Sequence, residues 1–257
     1  MAPSVLIIGA SGSLGRPLVE EFQRQKSRFN RVAILSDPDK GYKFADVNKN
    51  EIEVVMGSFL DSNSYKGFDV VLSLAGNSVM RLQPAMIEAA IAGGVRHFYP
   101  SEFGTDISQD GVWQFRYFRD KVAKEHPDFR YTLMLVCSFS EWAYSSFNGV
   151  DLQNHTIEAY GHPDAETSVT ALSDVIRYTV ESIFLPFPPG KSGRAIRVRG
   201  DHLTWKQLIA LLEEVQGAGR TIGSSGKVTV PGPLDNDKFE FTPETLKETM
   251  QQLFKGN

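Results

Sequence analysis

The chain has 257 residues, 41% of them apolar and 23% charged, and carries a formal net charge of −4. That length holds one large α/β domain, or a domain with a small annex, and the composition is that of a globular protein. The mild negative charge supplies no basic field for nucleic acid, and the single cysteine, Cys137, excludes an internal disulfide framework and suits a reducing compartment.

Residues 5–8 form a short apolar run of the length of a buried parallel strand. So direct a start leaves no room for a leader peptide, and no apolar run is longer than a strand. A cytoplasmic protein without membrane contact is therefore expected. Glycines at 9, 12 and 15 follow. Leu14, Leu18, Val19 and Phe22 then fall on one helical face, with Glu20 and Glu21 turned away. Strand, glycine turn and helix are what a dinucleotide pyrophosphate requires. Glycine admits the phosphates with no Cβ in the way, and the helix start offers unpaired N–H groups and the positive end of its dipole. Gly9, Ser11, Gly12, Ser13, Leu14 and Gly15 are the candidate cradle, in a G-x-x-G-x-x-G spacing that resembles that of short-chain dehydrogenases.

Residues 31–35 read as a second strand, ending at Ser36-Asp37-Pro38-Asp39-Lys40. In nucleotide-binding folds this end faces the adenine ribose, where a carboxylate suits the 2′-OH of NAD and a basic residue the 2′-phosphate of NADP. Both chemistries are present. Ser36 donates to a phosphate and Lys40 or Lys43 neutralises one, whereas Asp37 repels it unless turned away; the alternative for the lysines is a solvated loop. A third strand over 53–57 delivers Ser58 and Phe59 to the adenine side. A fourth, over 68–76, exits through Leu74, Ala75 and Gly76, where the small residues let the backbone pass close to the nicotinamide-side phosphate and ribose. Residues 83–94 make a helix with Met86, Ile87, Ala90 and Ile91 on one face, closed by Gly93-Gly94, and 95–100 make a fifth strand. This alternation predicts right-handed βαβ units and a parallel sheet.

Ser101-Glu102-Phe103-Gly104 leaves the carboxyl end of the fifth strand, where open α/β sheets place their sites. A helix carrying Phe115, Tyr117, Phe118, Lys121 and Val122 follows. A sixth strand over 130–136 then delivers Cys137, Phe139 and Trp142 to the same edge. The remainder is less regular. It predicts short strands and turns over 147–166, a helix N-capped by Ser173, a linker over 186–193 and a strand over 194–198. A helix capped by Thr204, a glycine-rich loop over 217–226 and a helix start at Thr242-Pro243-Glu244-Thr245 complete it.

Gly9-Ala10-Ser11-Gly12-Ser13-Leu14-Gly15, Phe68-Asp69-Val70-Val71 and above all Phe98-Tyr99-Pro100-Ser101-Glu102-Phe103-Gly104 resemble the NmrA-like, isoflavone-reductase-like branch of the atypical short-chain dehydrogenases. Phe118-x-x-Lys121, Tyr131-Thr132 leading to Phe139, and Asp174-Val175 with Arg177-Tyr178 extend the likeness nearly end to end. The resemblance implies a Rossmann-type doubly wound parallel sheet over residues 1–146. A small C-terminal α/β substrate lobe over 147–257 follows, part of which returns to the sheet. It also implies NADP(H) in preference to NAD(H), an aromatic substrate, and a functional lysine after the fifth strand, at Lys121. The chain departs from the family in carrying Ser36 where its reductases usually have arginine, and in a shorter second half.

Tyr117 and Lys121 also form a Y-x-x-x-K, one helical turn apart, in which an ammonium beside a phenol favours the phenolate for proton transfer. The alternative for Tyr117 is helix packing, and for Lys121 a surface lysine. Ser101 either polarises a substrate oxygen or caps a turn; Glu102 either meets substrate beside Phe103 or serves as a structural anion. Phe139 is expected as a wall near the nicotinamide, with Trp142 and Tyr144 lining an apolar substrate pocket. The aromatic residues after Phe139 serve either that pocket or a homodimer surface. His97, His126, His155, His162 and His202 show no metal-ligand spacing, so no metal is expected. The implied activity is hydride transfer to a small aromatic or specialised-metabolite substrate. A non-catalytic NAD(P)-sensing regulator and a non-redox isomerase or cyclase share the same motifs.

Overall fold

The computed structural model describes residues 2–47, 51–104, 126, 128–143, 145–146, 150–151, 156–159, 162–216, 220–223 and 233–253. Its strands are β1 (Ser4–Ile8), β2 (Arg31–Ser36), β3 (Glu53–Met56), β4 (Val70–Ser73), β5 (His97–Tyr99), β6 (Arg130–Leu135) and β7 (Ser138–Phe139). There follow β8 (Val150–Asp151), β9 (Thr156–Ala159), β10 (Glu166–Thr170), β11 (Gly193–Arg197), β12 (Asp201–Thr204) and β13 (Arg220–Gly223). The chain divides into two compact units, neither continuous in sequence: Met1–Glu102, Ile107–Leu133 and Ser182–Ala195 form the first, and Phe103–Asp106, Met134–Glu181 and Ile196–Asn257 the second.

Seven strands make one sheet in the order β3-β2-β1-β4-β5-β6-β11. β1 pairs in parallel with both β2 and β4, Leu6 lying opposite Ala33 on one side and Val71 on the other. The winding therefore reverses at β1, and this is a Rossmann-type sheet whose switch point opens at the carboxyl ends of β1 and β4. At the far edge Tyr131 N–H donates to Ser192 O and Val198 N–H to Leu135 O, so β11 runs with β6.

Both faces of β1 are buried, as its uninterrupted apolar run requires. Leu6 and Ile8, with Ala33 and Leu35, share a cluster with Met86, Ile87 and Ala90 of the Gln83–Ala92 helix. Ile34, one residue out of phase and hence on the opposite face, lines a pocket with Val19 of the Gly15–Arg24 helix. Helices thus cover both faces. Each fully buried Leu, Ile or Val here contributes about 1.5–3 kcal/mol relative to exposure.

The second unit holds two three-stranded sheets, β12-β10-β7 and β13-β9-β8. Val169, Leu203, Leu208, Leu212, Leu246 and Met250 form its core. Three expectations are corrected here. The helix expected to start at Ser173 is Leu172–Ser182, because the Glu141 carboxylate takes the Leu172 N–H at 2.9 and 3.1 Å and does the capping; Ser173 Oγ instead donates to Glu244 at 3.2 Å. The last helix begins at Leu246, not at Pro243, because Thr245 and Glu248 form a reciprocal capping box: Thr245 N–H donates to Glu248 Oε2 at 2.7 Å and Glu248 N–H to Thr245 Oγ1 at 3.3 Å. Within the expected glycine-rich loop, β13 pairs in parallel with β9, Thr221 opposite Ile157. Among the described residues no helix is long and apolar enough to cross a membrane.

Candidate functional site

The glycine turn sits at the carboxyl end of β1. Gly9 has φ +80°, and a Cβ there would lie 2.3 Å from Leu74 O, so this glycine is required both by its conformation and by the close pass of the β4 exit. A Cβ on Gly15 would lie 2.5 Å from Gly9 O, so the third glycine lets the helix begin directly against the turn. Gly12 differs. It lies outside the left-handed region, and a Cβ would meet only Gly9 O, at 3.4 Å. Gly12 N–H donates to Gly9 O at 3.1 Å and its carbonyl accepts Arg16 N–H at 3.1 Å, while Ser11, Gly12 and Ser13 face solvent. Leu14 occupies the cap position of the helix with no side-chain cap, and no acidic residue stands in the first turn. The helix start therefore presents its dipole's positive end uncompensated.

At the end of β2, Ser36 is buried and its hydroxyl donates to Asp37 O at 3.0 Å. Asp37 Oδ1 accepts Asp39 N–H at 2.9 Å, capping the Pro38–Phe44 turn, on which Lys40 is exposed and Lys43 half-buried. Arg16 reaches this segment from the helix: Nη1 donates to Asp46 at 2.8 Å and Nη2 to Lys43 O at 2.8 Å. After β3, the exposed Ser58 accepts Leu60 N–H at 3.1 Å, and Phe59 packs half-buried with its carbonyl taking the Tyr65 hydroxyl at 2.6 Å.

The exits of β4 and β5 are tied together. Leu74 N–H donates to Ile8 O at 2.9 Å, and Ala75 O accepts the Ser101 hydroxyl at 2.8 Å. Ser101 N–H donates at 2.7 Å to Oε1 of Gln83, a buried residue at the start of the Gln83–Ala92 helix. Gly76 caps the Asn77–Met80 turn through its carbonyl, and a Cβ there would meet nothing within 4 Å. Ser101 is thus the knot of this edge, with its proton committed to Ala75. Glu102, half-buried, donates its N–H to Pro100 O at 2.8 Å. Tyr117 and Lys121, and Tyr144 with them, lie outside the described residues.

In the second unit, Phe103 is half-buried and Gly104 O accepts the Val136 and Cys137 N–H groups at 3.1 and 3.0 Å. Cys137 takes φ +61° and is buried, and burial pushes its thiol above the ordinary value, which disfavours a thiolate. Phe139 is buried and meets Trp142 edge-on, ring centroids 4.8 Å apart, while Trp142 is 47% exposed. Glu141, between them, anchors this turn to the Leu172–Ser182 helix. Arg16, Gln83 and Glu141 are the residues that sequence reasoning missed.

Residues 1–255 match the NmrA-like family. The NmrA-like family domain-containing oxidoreductase of Gibberella moniliformis (strain M3125 / FGSC 7600) is 24% identical over 242 residues, 85% of this chain and 78% of that protein. The isoflavone reductase homolog IRL of Zea mays is 32% identical over 116 residues, 42% of this chain and 38% of that protein. Among solved structures, AtPrR2 with NADP+ and (+)pinoresinol aligns with a TM-score of 0.72 at 21% identity, covering 88% of this chain and 80% of that one. The leucoanthocyanidin reductase–NADPH complex from Vitis vinifera aligns with a TM-score of 0.73 at 18% identity, covering 97% and 98%. At such identities the structural likeness establishes the fold.

Proposed function

The chain belongs to the NmrA-like family, and from that premise we propose that it is an NADP(H)-dependent reductase of a small aromatic, specialised-metabolite-type substrate. Gly12 carries this reading. The fold demands glycine at 9 and 15 but not at 12, so the open face above Gly12, next to an uncapped helix start, is space kept for a ligand. Backbone N–H groups and a helix dipole make that ligand an anion, and a pyrophosphate fits both. Solved structures of the same fold hold NADP+ or NADPH, and relatives include proteins named oxidoreductase and isoflavone reductase homolog.

NADPH, when bound, supplies the hydride. The chain's own residues bind and orient it: Gly9, Ser11, Gly12, Ser13, Leu14 and Gly15 at the pyrophosphate, Ser36 and Lys40 at the adenine ribose, and Ser58 and Phe59 at the adenine. Leu74, Ala75 and Gly76 form the nicotinamide side; Phe139, in the second unit, is the candidate apolar wall. Lys121 anchors the nicotinamide ribose or moves the substrate proton, assisted by Tyr117. Ser101 holds the two strand exits in place, and polarises a substrate oxygen only by exchanging its bond to Ala75 O. Glu102 in the first unit, and Phe103, Trp142 and Tyr144 in the second, are the candidate substrate residues.

The test is calorimetric titration with NADPH, then nicotinamide oxidation across a panel of aromatic enones, carbonyl compounds and benzylic ethers. Micromolar binding with turnover of at least one class is expected, and Lys121→Ala should collapse turnover while sparing dinucleotide affinity. Binding without turnover across the panel would make the protein a dinucleotide-sensing regulator. No binding would sink the reading.

A further inference from the structure

We propose that Arg16 reads the 2′-phosphate of NADP(H), standing in for a basic residue at the tip of β2; the inference rests on the dinucleotide reading above. The tip of β2 carries Ser36 and Asp37 and presents no cation of its own. The Ser36 hydroxyl is turned to Asp37 O, and the Asp37 carboxylate is held by Asp39 N–H. Arg16 follows the last glycine of the cradle and sends its guanidinium across to the segment after β2, where it grips Lys43 O and Asp46 at 2.8 Å each. With Ala10 of the turn, Ile34 of β2 and Asp46, it lines one pocket of about 130 Å³. One cation therefore joins the turn that takes the pyrophosphate to the segment that faces the ribose.

Its present anion is easily given up. The side chains of Arg16 and Asp46 are 48% and 68% exposed, and an ion pair so placed is a weak tie. A phosphate offers two charges where Asp46 offers one, in a geometry that the planar guanidinium fork matches with two parallel hydrogen bonds. Acidic neighbours favour such a cation: Asp37, Asp39 and Asp46 lie on this segment and Glu20 lines the pocket, opposed there by the flexible point charges of Lys40 and Lys43.

Calorimetric titration of NADPH and NADH into the wild type, Arg16→Ala, Arg16→Lys and Asp46→Asn tests this. Arg16→Ala should weaken NADPH about tenfold or more and NADH less than about threefold, the scale of a lost charge-assisted hydrogen-bonding pair. Arg16→Lys should restore part of the preference. Asp46→Asn, which removes the competing anion and leaves the guanidinium, should tighten NADPH and leave NADH unchanged, and reads the same interaction should Arg16→Ala fold poorly. If Arg16→Ala keeps the wild-type NADPH-to-NADH ratio, or weakens both alike, the inference falls while the dinucleotide reading stands. If the wild type binds neither dinucleotide, the dinucleotide reading fails first and takes the inference with it.

Discussion

Gly9 and Gly12 sit three residues apart in one turn, yet an added methyl group meets different obstacles at each. At Gly9 it collides with the Leu74 carbonyl at 2.3 Å from a left-handed backbone. The left-handed conformation alone costs about 1–2 kcal/mol, and the forced shift about 1–3 kcal/mol more. Gly9→Ala should therefore lower Tm by roughly 4–20 °C for a chain of this size. Gly12→Ala, in ordinary contact with Gly9 O, should leave Tm nearly unchanged and weaken NADPH binding about tenfold or more if the open face takes a pyrophosphate. Thermal melts and calorimetry on the two variants check the pair; equal loss of stability at both positions would remove Gly12 from the ligand site. The three glycines were legible in the sequence because their constraint is local. Arg16, Gln83 and Glu141 were not, because their partners lie 30, 18 and 31 residues away and only the assembled sheet brings them together. Ser36 shows the same limit: its position was readable, but not the direction of its hydroxyl.

Helix starts in the second unit show what local sequence fixes and what it leaves to tertiary contact. Thr204 was readable as a cap. Its Oγ1 accepts Gln207 N–H at 3.3 Å, and Gln207 Oε1 accepts Thr204 N–H at 2.7 Å, a box closed within four residues. The Leu172–Ser182 helix is capped instead by Glu141, from a distant turn, while Asp174 accepts Glu244 N–H. Burial raises both carboxyls above their ordinary 4.5 and 3.8. For Glu141 the Leu172 bond opposes the shift and the charges of Glu244 and Asp174 add to it; for Asp174 the Glu244 N–H and Arg177 oppose it, and Glu244 and Glu248 add to it. The folded state thus holds these protons more tightly than the unfolded one. Their stabilising contribution is full below the ordinary values and is lost as pH rises through the raised ones. Glu141→Gln, which keeps an acceptor for Leu172 N–H and removes the charge, should flatten this slope. The Tm of the wild type relative to the variant should be higher at about pH 4.5 than at pH 7. An offset between the two proteins that stays constant over that range would show that folding does not raise the Glu141 carboxyl.

Across the whole molecule, the parallel sheet followed from strand–helix alternation, whereas its double winding and the return of part of the second half to its edge were implied only by the family resemblance. β11 returns from the second half of the chain, and the segment before it is fixed by a buried network that no short window of sequence contains. Arg194 donates from Nε to Thr132 Oγ1 at 2.9 Å, from Nη2 to Ser182 O at 2.6 Å and from Nη1 to Leu185 O at 3.0 Å. The Tyr99 hydroxyl meets Ser182 Oγ at 3.0 Å. His97 Nε2 meets Thr132 Oγ1 at 2.8 Å, and burial, with Arg194 and Arg130 nearby, pushes its pKa down to about 3, so it sits neutral inside this structural network. Gly193 packs against Tyr131, where a Cβ would come 2.1 Å from the ring. A fragment ending at residue 146 keeps the entire cradle but loses Ser182, Leu185, Gly193 and Arg194. It exposes the edge of β6 and strips the buried Tyr99 hydroxyl of its Ser182 and Arg194 partners, at about 1–3 kcal/mol for a lost buried hydrogen bond. That fragment should therefore melt without a cooperative transition or aggregate, and bind no dinucleotide. Supplying residues 182–198 in the same chain through a short Gly/Ser linker should restore a cooperative melt, measured by circular dichroism. A fragment 1–146 that melts as sharply as the full chain would show that the sheet does not need its returning strand.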